Sequence, residues 1–320
     1  MSGVQDLIGR AAQSSVVRLA ITAAILFYLS TRIDMGEAAR AVAAISLPHL
    51  AAVLALVALD RAVMILRWVL LLRASGIAIA GGEATRLFLV SSFVGSFLPA
   101  GVGADAARAY GLARESTTGS EALASVAVDR VLGVLSLVLM GVAGLVAWAP
   151  DGRGDWRLLL AVTIIGVGCV AAFWADQWLR WVVPDHRHNR SITRRVLRLS
   201  DAISRYRNRR GVLVHVMAWS LAVQLLRITQ AYLLALGLGL TVPFSYFLLF
   251  MPVGLLMLLL PVSISGFGVP QAAIVWLLRP VGVADSAAFA LSTLIILTGL
   301  AGNLPGLLLW LRRPRESRPA

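Results

Sequence analysis

Ser96-Phe97-Leu98-Pro99-Ala100-Gly101-Val102-Gly103-Ala104-Asp105 interrupts an apolar run in the first half of the chain. Leu259-Leu260-Pro261-Val262-Ser263-Ile264-Ser265-Gly266-Phe267-Gly268 interrupts another in the second half. Each run ends in Leu-Pro, passes through small residues to Gly-x-Gly, and then begins a new helix. Proline removes a backbone donor and clashes with the preceding turn, so the helix stops there. In hydrocarbon, the backbone groups freed at such a break must find protein partners or face a water-filled cavity. The half-helices that start after the break present N–H groups and a positive dipole end to anions. Two interrupted segments in corresponding halves of an apolar chain are a pointer to a transporter binding site. Two ordinary loops between helices are the alternative that these residues alone leave open.

The surrounding chain is of the membrane type. Of its 320 residues, 59% are hydrophobic and 14% charged, with mean hydropathy +0.83. Soluble domains carry roughly 25% charge, so a soluble enzyme, a disordered chain and a disulfide scaffold are all excluded. Apolar segments fall at 16–33, 47–72, 87–99, 122–148, 158–175, 212–238, 244–261, 269–278 and 286–311. A crossing helix needs about 20 residues, and 87–99 and 269–278 fall short of that. The expected fold is an all-α polytopic membrane protein with about six full spans. Two Pro/Gly-broken re-entrant hairpins, 87–112 and 244–278, complete it in inverted halves. Residues 1–320 read as one membrane domain: a first half 16–175, a loop 176–211, a second half 212–311 and a tail 312–320.

Charge sets the expected orientation. The net charge is +13. The 176–211 loop holds ten arginines and three aspartates, and the tail holds four arginines and one glutamate. Short basic loops stay cytoplasmic, so the N-terminus, the loop and the C-terminus are expected inside, in the cell (inner) membrane. That distribution argues against nucleic acid as a partner. Within the loop, Ile192, Val196, Leu199, Ile203 and Tyr206 recur at helical spacing among arginines. This reads as a basic amphipathic helix suited to an anionic leaflet, or as a solvated cytosolic helix. The apolar run after Arg10 and Arg18 lacks a small-residue cleavage site and reads as an uncleaved first span. Cys169 is the one cysteine and the four histidines are scattered, so no metal site and no cofactor are expected.

Ionisable residues within the spans are functional candidates. Asp60, Arg61 and Arg67 lie in the second segment, Asp129 and Arg130 in the fourth, and Gln224 and Arg227 in the sixth with Ser220 on the same face. Asp105 and Arg108 open the half-helix after Gly103, where Asp105 also fits an N-cap. Arg67-Trp68 also fits an interfacial anchor. Structural ion pairing would account for the charges but not for the broken helices.

These motifs carry a resemblance. Phe97-Leu98-Pro99-x-Gly101-x-Gly103-x-Asp105-x-x-Arg108 and Ser125-Val126-x-x-Asp129-Arg130-x-x-Gly133 resemble the flippase-like family that includes the membrane region of lysylphosphatidylglycerol synthases. Arg67-Trp68-x-x-Leu71-Leu72, Leu260-Pro261-x-Ser263-Ile264-x-Gly266-x-Gly268 and Leu304-Pro305-Gly306 extend the likeness over roughly 50–311. Two departures stand out: Gly103-Ala104 where the family usually has two glycines, and Pro270-Gln271 where it often has an acidic residue. The resemblance implies lipid translocation between leaflets. With the sequence running nine residues beyond Leu311, the expectation is a membrane unit standing without the aminoacyl-transferase domain of the synthases.

The leading expectation is therefore a lipid translocator, not an enzyme, with membrane lipids bearing an anionic or lipid-linked headgroup as its partners. Arg67, Asp105, Arg108, Asp129, Arg130, Gln224 and Arg227 are the expected headgroup contacts. Pro99, Gly101, Gly103, Pro261, Ser263, Ser265, Gly266 and Gly268 are the expected break positions. A polytopic enzyme of lipid or lipid-linked sugar modification is the first rival. A non-catalytic partner of a lipid-synthesis enzyme is the second.

Overall fold

The computed structural model describes residues 27, 31, 33–97, 103–115, 118–148, 203, 206, 209–257 and 268–312. In order come α1 (Met35–Ala43), α2 (Leu47–Ala74), α3 (Gly81–Gly95), α4 (Gly103–Glu115) and α5 (Gly119–Trp148). The second half holds α6 (Arg210–Gly237), α7 (Phe244–Met257), α8 (Val269–Leu278), α9 (Asp285–Ala301) and α10 (Leu304–Leu311). Among the described residues the ordered elements are helical. Four stretches are long and apolar enough to cross a membrane: Leu47–Ala74, Gly119–Trp148, Arg210–Gly237 and Asp285–Leu311. They coincide with four of the six expected spans. The expected spans 16–33 and 158–175 fall outside the described residues, apart from a few positions near residue 30. Pro99, Gly101, Pro261, Ser263, Ser265, Gly266, most of the 176–211 loop and the tail beyond 312 also fall outside them.

The chain is inside-out relative to a soluble bundle. On α2, Leu54, Leu59 and Leu66 are exposed while Asp60 and Arg67 are buried. A helix that turns leucine outward and ionised groups inward suits hydrocarbon surroundings. The protein is a multi-pass helical membrane protein.

Helix pairing follows a fixed register. α2 and α6 run antiparallel along their whole length: His49 packs on Gly237, Asp60 meets Arg227, and Arg67 meets Ser220. α3 and α4 fold back on each other, with Gly95 against Ala104, Gly111 against Leu87, and Arg86 bound to Glu115 at 2.8 Å. α7 and α8 do likewise, with Gly254 against Ile274 and the Tyr246 hydroxyl donating to the Leu277 carbonyl. α10 lies antiparallel on α3, where Gly306 meets Leu89 and Asn303 donates to Ser96 Oγ at 2.9 Å. α7 lies antiparallel on α5, where Gly144 meets the Leu248 backbone and the Trp148 and Tyr246 rings sit 4.8 Å apart. Glycine at these crossings removes the side chain that would separate the backbones, the small-residue rule of helix contacts in membranes.

The two short pairs open at opposite ends of the bundle. α3 and α4 open where α2 ends and α6 begins. α7 and α8 open where α6 ends and α9 begins. These helices have 15, 13, 14 and 10 residues. At 1.5 Å per residue each is at most roughly 22 Å long, less than the ~30 Å of a hydrocarbon core.

Two sequence readings are corrected here. The helix expected from residue 87 begins at Gly81, because its opening turn Gly81-Gly82-Glu83 is polar and hydropathy does not register it. Ile203 and Tyr206, expected on the face of a surface helix, pack instead against Leu71, Val128 and Val216, and Tyr206 is 3% exposed. At those two positions the apolar face covers the end of the bundle.

Candidate functional site

Four helices bring their polar residues to one place. α2 supplies Asp60, Arg61, Met64 and Arg67, on turns that face the bundle axis at helical spacing. α6, antiparallel to it, supplies Ser220, Gln224 and Arg227. α5 supplies Asp129, Arg130 and Ser136. α4, starting at Gly103, supplies Asp105 and Arg108.

The result is a connected set of ion pairs. Arg67 Nη2 lies 2.7 Å from Asp129 Oδ1, and Arg67 Nη1 donates to Ser220 Oγ at 2.9 Å. Arg108 Nη2 reaches Asp105 Oδ1 at 2.9 Å and Asp129 Oδ2 at 3.1 Å. Arg130 Nη1 lies 3.5 Å from Asp105 Oδ2. Arg227 Nε donates to Asp60 Oδ1 at 3.1 Å, and Arg61 lies 3.6 Å from the other oxygen of that carboxylate. Arg61 also donates to the Gly299 carbonyl at 3.2 Å, tying α2 to α9. Gln224 Nε2 donates to Ser136 Oγ at 3.1 Å and to the Gly133 carbonyl at 3.3 Å. The Arg108 guanidinium lies over Trp68 and Phe88, 5.1 and 5.2 Å from the ring centres. Such cation–π contacts fix its plane as well as stabilising its charge.

Two adjoining cavities open on this set. The larger, of about 380 Å³, has an apolar wall that includes Val57, Leu234 and Ile296. Its polar wall includes Ser91, Ser92, Gln230 and Asn303. The smaller, of about 190 Å³, is bordered by Arg67, Asp129 and Gln224. Met64, Asp105, Arg108, Arg130, Arg227 and Leu255 border both. The second short pair contributes Met251 and Leu255 of α7 to the larger cavity. Among the described residues five arginines and three aspartates face these spaces. Such a set suits phosphate or carboxylate, for which the guanidinium offers a planar fork. Among the described residues no cluster of histidine, cysteine, aspartate or glutamate is placed to hold a metal ion.

The seven expected headgroup contacts all border one cavity or both. Two details differ from expectation. Arg67 is 4% exposed and paired with Asp129, so it is no interfacial anchor. Its position, well inside the α2 run with Ser220 opposite, offers an interior partner that snorkelling would forfeit. Asp105 is the third residue of α4, not its cap, and turns its carboxylate to Arg108 and Arg130. Gly268 takes φ 93°, a conformation natural to glycine, and opens α8 away from the cavities. Gln271, in the place where an acidic residue was the alternative, is 1% exposed. It accepts from the Gly268 N–H at 3.2 Å and donates to Thr293 at 3.0 Å.

Sequence reasoning did not assign Asp60, Arg61, Gln230 and Asn303 to the site. Asp60 and Arg61 were marked as buried charges, but nothing local joined them to Arg227. Gln230 follows Arg227 by three residues, a spacing that could have found it.

Residues 15–306 match the family described as the lysylphosphatidylglycerol synthase TM region. The chain belongs to this family. The family match contains every residue that borders either cavity, together with both short helix pairs and most of the four long helices. No curated protein matches the chain. The family is a membrane one tied by its description to a lipid-modifying synthase.

Proposed function

We propose that this protein moves a lipid between leaflets without altering it covalently, holding an anionic headgroup at the arginine cavity. The observation that carries this reading is the convergence of Arg67, Arg108, Arg130 and Arg227 from four helices on one cavity inside the bundle. An ion-pair set built for stability alone would be filled and balanced. Here cavity space adjoins the pairs, and among the described residues cations outnumber carboxylates. The apolar wall of the larger cavity offers a path for a lipid's hydrophobic part beside the charged floor.

In this reading the two short helix pairs are re-entrant from opposite faces, and the halves are inverted repeats. Among the described residues each half runs as long helix, short pair, long apolar stretch. α2 and α6 hold equivalent places and lie antiparallel, as an in-plane two-fold requires. Among the described residues each short pair packs on the last apolar stretch of the other half, α3 on α10 and α7 on α5. Rocking of one half against the other would expose the cavity to each face in turn, the usual logic of inverted repeats. In this reading the N-terminus, the basic 176–211 loop and the C-terminal tail lie on the cytoplasmic side of the cell membrane, which the positive-inside rule favours.

Purified protein in liposomes carrying headgroup-labelled lipids tests the proposal. Accelerated exchange of an anionic lipid between leaflets, with the lipid chemically unchanged, is the expected result. A new lipid product would replace it with the enzyme reading. Neither movement nor product would leave the protein as a non-catalytic companion of lipid-synthesis enzymes.

A further inference from the structure

The two cavities differ in their uncharged polar borders. Ser91, Ser92 and Ser96 of α3, Gln230 of α6, and Asn303 at the start of α10 border the larger cavity and not the smaller. Their internal hydrogen bonds decide what each can still offer a ligand. Ser91 and Ser92 both donate to the Phe88 carbonyl, at 2.9 and 2.8 Å. Ser96 donates to the Ser92 carbonyl at 3.0 Å. A hydroxyl has one proton and two lone pairs. With that proton committed to the helix, Ser91 and Ser92 can meet a ligand as acceptors. Ser96 has no second proton, so the Asn303 amide is the donor in their 2.9 Å contact, and Asn303 Oδ1 stands as a further acceptor. Among the described residues, Asn303 Oδ1 and Gln230 Nε2, an acceptor and a donor, are buried without a hydrogen-bond partner.

Resting on the headgroup reading above, we infer that the larger cavity receives a hydroxylated headgroup, a sugar or polyol linked through the phosphate. A hydroxyl both donates and accepts, so a polyol can serve the serine and asparagine oxygens and the Gln230 amide together. A phosphate without such a substituent brings only acceptors and leaves those oxygens unpaired. An ammonium only donates and leaves the Gln230 N–H unpaired. Arg108, Arg130 and Arg227 border both cavities, so a phosphate held there has its substituent beside this wall. The cavity, of about 380 Å³, falls within the roughly 300–1,000 Å³ over which pockets enclose a small molecule. A site built to hydrogen-bond a hydroxyl rejects the analogue that lacks it, because its own buried polar groups are then left unpaired. The discrimination rests on hydrogen bonding and not on net charge.

The test is competitive binding to the full chain in detergent, read by native mass spectrometry and thermal shift. The probes are phosphatidylinositol, phosphatidylglycerol, phosphatidylmethanol, phosphatidylethanolamine, phosphatidylcholine and free inositol phosphate. The first three are singly charged phosphodiesters that differ in the hydroxyls beyond the phosphate. Affinity should fall in that order, with at least about tenfold between phosphatidylinositol and phosphatidylmethanol. Phosphatidylethanolamine should bind more weakly than phosphatidylglycerol. Stabilisation by free inositol phosphate equal to that by phosphatidylinositol would overturn the lipid source and assign the hydroxylated ligand to a soluble one.

Two variants alter the wall without touching its arginines. Ser92→Ala removes an acceptor and Gln230→Leu removes the donor. Each should lower the ratio of phosphatidylinositol to phosphatidylmethanol affinity by about threefold or more. Loss of packing alone would weaken both lipids alike and leave that ratio unchanged. An unchanged ratio in both variants, or equal affinity for the two lipids with phosphatidylcholine weak, would overturn the inference while leaving an anionic headgroup site. Phosphatidylethanolamine matching phosphatidylinositol while phosphatidylmethanol stays weak would overturn it in favour of an ammonium. Equal binding of all the lipids would overturn the inference and the headgroup reading together.

Discussion

Arg67 on α2 and Asp129 on α5 form a buried ion pair, Nη2 to Oδ1 at 2.7 Å, while the second Asp129 oxygen takes Arg108 of α4 at 3.1 Å. One carboxylate thereby holds three helices in register, and the Arg67–Ser220 hydrogen bond adds α6. Asp129 is 3% exposed, so its two guanidinium partners have little water to turn to when it is lost.

Asp129→Asn should therefore be among the most destabilising changes in the bundle. Removing one partner of a buried pair costs about 3–5 kcal/mol, because the opposite charge stays buried without compensation. Thermal unfolding in detergent should show it. Pairing Asp129→Leu with Arg67→Met should recover much of the loss. A double variant as unstable as the sum of the singles would show that the pair is not coupled.

Arg108 separates binding from scaffolding. Arg108→Lys keeps the charge but loses the planar fork and its seat over Trp68 and Phe88. Lipid movement should fall well below wild type while expression stays near normal. Arg108→Ala should abolish movement. A folded Arg108→Ala protein that moves lipid at the wild-type rate would remove this residue from the site.

Glycine substitutions test the packing of the halves. A Cβ on Gly306 would overlap the Leu89 carbonyl, and one on Gly144 would overlap the Leu248 backbone. Gly306→Ala and Gly144→Ala should each lower the melting temperature or the folded yield. Gly299→Ala meets nothing within 4 Å. It should be neutral or stabilising by about 0.5–1 kcal/mol, because glycine in a helix interior normally costs about that much relative to alanine. Equal melting temperatures for all three variants would contradict these contacts.

Gln271 fastens the start of α8 to α9 through the Gly268 N–H and Thr293. Gln271→Leu leaves a buried donor and a hydroxyl without this partner and should cost about 1–3 kcal/mol. Hydrogen exchange in α8 should rise first, ahead of α2 and α6. Unchanged protection in α8 would be the contrary result.

Orientation is testable independently of the cavity. With Cys169 replaced, single cysteines at 200 and 317 should react with an impermeant label only after the cells are opened. Labelling of either from outside intact cells would reverse the proposed topology.

Much of the candidate site was legible because charge in an apolar run is costly, so each buried arginine or aspartate announces itself. That argument marked Arg67, Asp105, Arg108, Asp129, Arg130 and Arg227 without any knowledge of their neighbours. It could not join Asp60 to Arg227, because helical periodicity fixes which face a residue occupies but not which helix lies opposite. It also read Arg67 as a possible anchor and Asp105 as a possible cap, since both readings satisfy the same local pattern.

The sequence by itself determined that the chain is a helical membrane protein with two matched breaks, because hydropathy and Pro/Gly chemistry act locally. Only the tertiary structure decided that α2 and α6 pair antiparallel in one register, that α10 seats on α3, and that charges from four helices meet in one connected set of ion pairs. Those outcomes depend on glycine-sized gaps between helices distant in the chain and on which carboxylate reaches which guanidinium. Such contacts are set by packing in three dimensions, not by the order of residues along any one helix.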